Sequence, residues 1–279
     1  MKQSGIYKLA KKNPLAVIGI VTCVIWLIAA IIAPLIAPYG PFTQDLPMRY
    51  DSPSTEHIMG TDHLGRDVFS RVIWGARISI PAGVIVIVIS TLFGGLYGAI
   101  AGYMGKLTDE AMMRVADVVM SFPPIILAMA IAAALGPSIM NAVFAIVIVW
   151  WPRYARMMRG LVLSTKEAEY VSSAVALGEK KAYVLLKTIV PNCVAPLLVM
   201  ASVDLGNAIL IFSGLGFLGL GVAPPAAEWG VMVAQGVAIF QYWWISFFPG
   251  VAILTVAMGF NFIGDAFRDM LDPRLRRQI

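Results

Sequence analysis

Ser164-Thr-Lys-Glu-Ala-Glu-Tyr-Val-Ser-Ser-Ala-Val-Ala-Leu-Gly-Glu-Lys-Lys-Ala-Tyr-Val-Leu-Leu-Lys-Thr-Ile-Val-Pro191 is the longest soluble-looking helical passage in an otherwise apolar chain. Ser164 and Glu167 have the spacing of a capping box, in which hydroxyl and carboxylate satisfy each other's orphan backbone donors, so a helix is predicted to start there. Gly178 supplies a stop. A second helix is predicted from Glu179, with Ala182, Leu185, Leu186 and Ile189 recurring on one face, and Pro191 should end it for want of an amide donor. Two short polar helices hinged at Gly178 read as a lever held outside a membrane.

The rest of the chain supplies that membrane. It is 59% hydrophobic and 13% charged, against about a quarter charged in soluble domains. This composition predicts an all-α polytopic membrane protein of about six transmembrane helices. The net charge of +5 comes from Lys and Arg in short clusters between apolar runs. That arrangement sets membrane orientation and speaks against a nucleic-acid partner. Cys23 and Cys193 suggest neither a disulfide nor a metal-ligand spacing.

The order of segments follows from charge and turn signals. Residues 1–14 are basic and predicted cytoplasmic, ahead of a span at 15–38 too long for a signal-peptide core. Residues 39–76 are polar and turn-rich and belong outside. There Gly60 and Gly65 permit tight turns, while Asp62 and Asp67 can cap or pair with Arg66 and Arg71. His57 and His63, the two histidines, read as solvated loop residues rather than metal ligands, since no other ligand group stands at a recognised spacing. Spans are predicted at 77–105, 112–135 and 140–161. Gly94, Gly98 and Gly102 give the first of these a smooth strip for a close helix neighbour. Pro123-Pro124 should bend the next, and Gly136-Pro137-Ser138 should turn outward. The lever then occupies 164–191, a span 195–220, an outer connection 221–244, a last span 245–267, and a cytoplasmic end 268–279. Trp229, Tyr242, Trp243 and Trp244 suit an interfacial aromatic belt. Asp204 and Asn207, one turn apart at membrane depth, are candidates for a transport path or for a structural polar contact.

Several motifs carry a resemblance. Ser173-Ala174, Gly178 and Ile189-Val190-Pro191 are spaced like the EAA loop of bacterial ABC importer permeases, with Ser172 and Ser173 where that pattern has Glu and its first Ala. Gly60-Thr-Asp-His-Leu-Gly-Arg-Asp-Val-Phe-Ser-Arg71 resembles the signature of the dipeptide, oligopeptide and nickel branch of those importers. So do Gly216-Phe-Leu-Gly-Leu-Gly221 with Pro224-Pro225 and Glu228-Trp-Gly230, and the run from Asp265 to Arg277. The resemblance implies the type I importer permease fold and a coupling loop in which Glu169, Ser172, Ser173, Ala174, Leu177 and Gly178 meet an ATPase. The outer motif would comprise Gly60, Asp62, Gly65, Arg66, Asp67 and Arg71. It further implies a second homologous permease in a heterodimer, two ATPase subunits carrying ATP and Mg, a periplasmic or lipoprotein substrate-binding protein, and a place in the bacterial inner membrane. The implied cargo is a di- or oligopeptide, with a nickel or metal-chelate importer as the alternative.

Other chemistry is missing from the sequence. Gly105-Lys106 lacks the earlier glycine of a phosphate loop, so no ATPase of that type is encoded here and no cofactor is expected on this chain. Gly214-Leu-Gly-Phe-Leu-Gly219 fits a dinucleotide fingerprint literally but sits in an apolar run with no strand before it. No nucleophile elbow or His-Glu-x-x-His helix is present. An ion-coupled secondary transporter would need buried charged sites and internal repeats, and a structural scaffold would make no flux depend on the lever.

Overall fold

A computed structural model describes residues 13–271. The basic residues before Asn13 and the stretch 272–279, which hold most of the predicted cytoplasmic ends, lie outside the described residues. Helix α1 (Pro14–Ile31) opens on a proline, whose missing N–H costs nothing in a first turn. Its long side chains, Leu15, Ile25 and Ile31 among them, are exposed, as a lipid-facing surface requires. Its buried residues are Ala16 and Gly19. A Cβ on Gly19 would lie 2.6 Å from Gly259 O, so small residues seat α1 against the last helix of the chain.

Helix α2 (Val68–Met104) begins well before residue 77, so the last part of the predicted outer segment 39–76 is helical. Asp67 caps it, its carboxylate accepting from Ser70 N at 2.7 Å. Charge at Arg71 makes this turn read as loop, but the guanidinium is buried and donates to Pro41 O at 3.1 Å. The 37 residues extend roughly 55 Å at about 1.5 Å each, so the helix outruns a hydrocarbon core of about 30 Å.

The predicted span 112–135 is two helices. Helix α3 (Lys106–Met120) and α4 (Pro124–Leu135) meet at 85°. Pro123-Pro124 was expected to bend one helix; instead Ser121 ends α3 and the prolines begin a new one, since neither ring can donate to the preceding ladder. Residues 106–111, between the predicted spans, already belong to α3. Two ion pairs tie α3 to helix α5 (Ile139–Thr165): Arg159 grips Asp109 with Nε at 2.5 Å and Nη2 at 2.7 Å, and Arg156 meets Asp117 at 2.7 Å. The turn between α4 and α5 uses Gly136 at φ +82° and is held by Asn141 Nδ2, which donates to Leu135 O and Gly136 O.

The core lies between α2 and α5. Cβ atoms on Gly94 or Gly98 would strike the carbonyls of Trp151 or Ala155, and one on Gly102 would lie 3.0 Å from Arg159 O. The four-residue glycine strip thus meets a four-residue step on α5, as the spacing predicts. Around this contact pack Val86, Ile146, Trp150, Tyr154, Met158 and Phe212. In lipid the gain is close packing rather than removal of apolar surface from water, because the tails are as apolar as the side chains.

After α5 come helix α6 (Glu169–Ala176), a single turn Lys181–Tyr183, a π-helical turn Val184–Ile189, and α7 (Val190–Phe217). Pro191 does not end this run. The helix stays continuous from Lys181 to Phe217, and the π turn widens it where the proline ring would otherwise press on a carbonyl of the preceding turn. Asn192 Nδ2 donates to Thr188 O at 2.7 Å beside it. The helix that carries the span expected at 195–220 therefore starts before residue 195.

The outer connection 221–244 folds inward through α8 (Trp229–Val237) before α9 (Trp244–Leu271). Trp229 is fully buried, its indole N–H donating to Val72 O at 2.9 Å, and Trp244 is buried with its N–H on Thr61 O at 3.1 Å. These two are structural anchors rather than belt residues; Trp243 stays half-exposed. Among the described residues four helical runs are long and apolar enough to cross a membrane, five with the bent α3–α4 pair. At 27 residues α5 also has the length, and its arginines 153, 156 and 159 keep it out of the apolar set.

Candidate functional site

The lever differs from its predicted start. Ser164 lies in the last turn of α5, which continues because Val162 is buried and Lys166 Nζ donates to Gly102 O at 3.2 Å. No capping box forms. Helix α6 begins at Glu169 with Ala168 as its N-cap and no side-chain bond there. Glu169 instead places a negative charge on the positive end of the helix dipole.

The end of α6 is as the glycine implies. Gly178 N donates to Val175 O at 3.0 Å and Glu179 N to Ala174 O at 3.3 Å, the paired bonds of a Schellman motif. Gly178 has φ +80°, and a Cβ there would meet nothing within 4 Å. Its glycine is required by backbone geometry alone.

Val171 is the buried residue of α6, while Ala174 packs partly against the core. Ser172 and Ser173 are exposed, and Ser173 Oγ donates to Glu169 O at 2.9 Å within its own helix. Tyr170, Val175 and Leu177 are exposed, Leu177 at 85%. An eight-residue helix is marginal alone in water. Here it is held at Val171 and leaves Tyr170 and, just past its end, Leu177 exposed.

The outer motif is a polar knot centred on Asp62. The Asp62 carboxylate accepts from Leu64 N at 2.9 Å, Arg66 N at 3.1 Å and Arg66 Nε at 2.7 Å, with Arg71 Nε at 3.6 Å. Gly60 and Gly65 have φ +72° and +69°, and a Cβ on Gly65 would collide with the Asp45 carbonyl. His57 is buried rather than solvated: Nδ1 lies 2.9 Å from Asp67 Oδ1, so it braces the same carboxylate that caps α2. His63 is partly exposed, and burial, aided by Arg66 and Arg71, pulls its imidazole below the usual range despite Asp62. Among the described residues no three His, Cys, Asp or Glu groups converge as metal ligands. The knot positions α2, with Arg66 Nη2 and Arg71 Nε buried and without a hydrogen-bond partner.

Asp204 and Asn207 part company. Asp204 is buried, accepting from Tyr154 OH at 3.0 Å with Arg153 Nη1 at 3.6 Å. Asn207 is exposed and lines a cavity with Arg153 and Trp150. Sequence reasoning did not reach Tyr154 or Arg153 as partners, since a contact between residues 50 apart leaves no local signal.

Glu228 was also missed as a site residue. It is fully buried, with Oε1 accepting from Ser79 Oγ at 3.1 Å and Gly230 N at 2.9 Å, and Oε2 from Val231 N at 2.9 Å. Burial pushes its carboxyl above the usual range, and those hydrogen bonds pull it partly back. It caps α8 and ties it to α2, within the Glu-Trp-Gly run noted in the sequence.

The comparisons with known proteins agree with this arrangement. Residues 94–277 match the family described as binding-protein-dependent transport system inner membrane component. Residues 8–53 match the N-terminal TM domain of oligopeptide transport permease C. A probable D,D-dipeptide transport system permease protein of Escherichia coli (strain K12) is 44% identical over 95% of this chain and 89% of its own. A dipeptide transport system permease protein of Alkalihalophilus pseudofirmus is 41% identical over 97% of this chain and 89% of its own. The oligopeptide transport system permease protein of Bacillus subtilis (strain 168) is 39% identical over 96% and 88%.

Proposed function

The chain belongs to the binding-protein-dependent transport system inner membrane components, and from that premise we propose that it is one permease subunit of an ATP-driven importer of di- or oligopeptides. The observation that carries the reading is α6, a short helix held through Val171 that leaves Tyr170 and, just past its end, Leu177 exposed. Such an exposed apolar pair suits a groove on another protein.

The partners are two ATPase chains, which hold ATP and Mg while this chain binds no cofactor, and a homologous permease completing a heterodimer around the path. An outer substrate-binding protein, periplasmic or lipoprotein, delivers the peptide. Both ends of the chain lie in the cytoplasm, and nucleic acid has no part. ATP binding draws the ATPases together and moves α6. The continuous helix from Lys181 to Phe217 carries that motion into the bilayer as one piece of a two-state rocking.

The test places cysteine at Ser173 or Ala174 in the complete assembly. Disulfide or bifunctional crosslinking to the ATPase is expected, together with peptide uptake that stops when the ATPase cannot hydrolyse ATP. Uptake driven by an ion gradient without the ATPase would overturn the reading.

A further inference from the structure

The 85° break between α3 and α4 leaves a cavity of about 410 Å³ against α5 and α7, lined in part by Phe122, Trp150, Arg153, Asn207, Leu210 and Ile211. This volume is in the range of small-molecule sites. Arg153 is the charged residue of its lining, Asn207 supplies a polar amide, and the remaining wall is apolar or aromatic.

Arg153 stands 14 residues into α5, roughly 21 Å from its start at about 1.5 Å per residue. An arginine so far along a bilayer-length helix is costly without a purpose. Its side chain is 44% exposed, and its guanidinium carbon lies 5.7 Å from the Trp150 ring centroid. Asp204 Oδ1 is 3.6 Å from Nη1, an ion-pair distance longer than a hydrogen bond, and the other Asp204 oxygen is taken by Tyr154 OH. Asp204 thus aims the guanidinium from behind without consuming its donors.

We propose that this cavity is a binding station for the α-carboxylate of a short peptide in transit, with Arg153 as the bidentate anchor. Asn207 meets the adjoining peptide group, and the apolar wall takes the side chains. A planar fork of donors matches a carboxylate in a way a lysine does not. The ring of Trp150 and the carboxylate of Asp204 fix that fork before the peptide arrives, which lowers the entropy cost of capture. The assignment rests on the peptide-importer reading.

The test uses the complete transporter in nanodiscs, with Cys23 and Cys193 replaced by alanine and Leu210→Cys, an exposed residue of the cavity's apolar wall, as a reporter for a water-soluble thiol reagent. Ala-Phe is expected to slow labelling at a concentration about tenfold or more below that needed by Ala-Phe amide, as loss of a charge-assisted bond predicts. Arg153→Gln should make the two peptides equal, and Arg153→Lys should restore part of the difference. Equal protection by both peptides in the unmodified site, or a difference that survives Arg153→Gln, would overturn the station. So would labelling that responds only to removal of anionic lipid, which would make the occupant a lipid headgroup. ATP-driven uptake of Ala-Phe, measured on the same assembly reconstituted in sealed proteoliposomes, reports separately on the importer reading: uptake without protection refutes the station alone, and absence of both refutes the two together.

Discussion

Gly178 combines an open surroundings with a closed choice of residue. Nothing within 4 Å would obstruct a side chain, yet φ +80° excludes most L-residues. Valine there forces a β-branched residue into the left-handed region, at a cost of about 1–3 kcal/mol confined to one turn. That energy is small against insertion of the spans and large against the angle between α6 and the helix that follows. Gly178→Val is therefore expected to reach the membrane in normal amount and to hydrolyse ATP in the assembly while peptide uptake falls several-fold or more. Uptake at the unmodified rate, with α6 still crosslinked to the ATPase, would remove Gly178 from the coupling path. The stop at this glycine was legible in the sequence because positive φ has a compositional signature. The start of α6 was not: Ser164 and Glu167 have the capping spacing, but packing of Val162 and the Lys166 bond to Gly102 O carry α5 past them.

Among the elements, the α2–α5 contact has the least slack. Gly98 approaches the Ala155 backbone so closely that a Cβ has no room, whereas Gly160, one residue beyond Arg159 on α5, meets nothing within 4 Å. Gly98→Leu should destabilise by about 1–3 kcal/mol or more through overpacking and forced separation of the helices. Gly160→Ala should be neutral or stabilise by up to about 1 kcal/mol, because it removes backbone freedom from a helix interior at no steric cost. Thermal unfolding of the purified assembly in detergent measures both. A Gly98→Leu variant as stable as the parent would mean the strip is not the packing seam. The strip itself was readable because small residues recur every fourth position on one chain. The complete break at Ser121–Pro123, the inward fold of α8 and the π turn were not. The fold of α8 is decided by a distant partner, Glu228 reaching Ser79, and local pattern holds no record of that.

The two polar ends of the molecule were also distinguishable in the sequence, one by its Gly-Asp-Arg knot and the other by its helix pair, but their sides of the bilayer follow only from the charge rule. Ile58, at 59% exposure in the outer cap, and Leu177, at 85% beyond α6, are the natural reporters. Neither supports the core, so cysteine at either position leaves packing intact. With Cys23 and Cys193 replaced by alanine, a membrane-impermeant thiol reagent is expected to label Ile58→Cys in intact cells and Leu177→Cys only in inverted vesicles. Adding the ATPase subunits should then shield Leu177→Cys and leave Ile58→Cys unchanged. Labelling of both from one side would be incompatible with a chain whose outer knot and inner lever are joined by bilayer-length helices, and would oblige the lever to work on something other than a cytoplasmic engine. Opposite labelling without shielding would keep the topology and release α6 from the docking role, so the two halves of the proposal are separable on a single pair of cysteines.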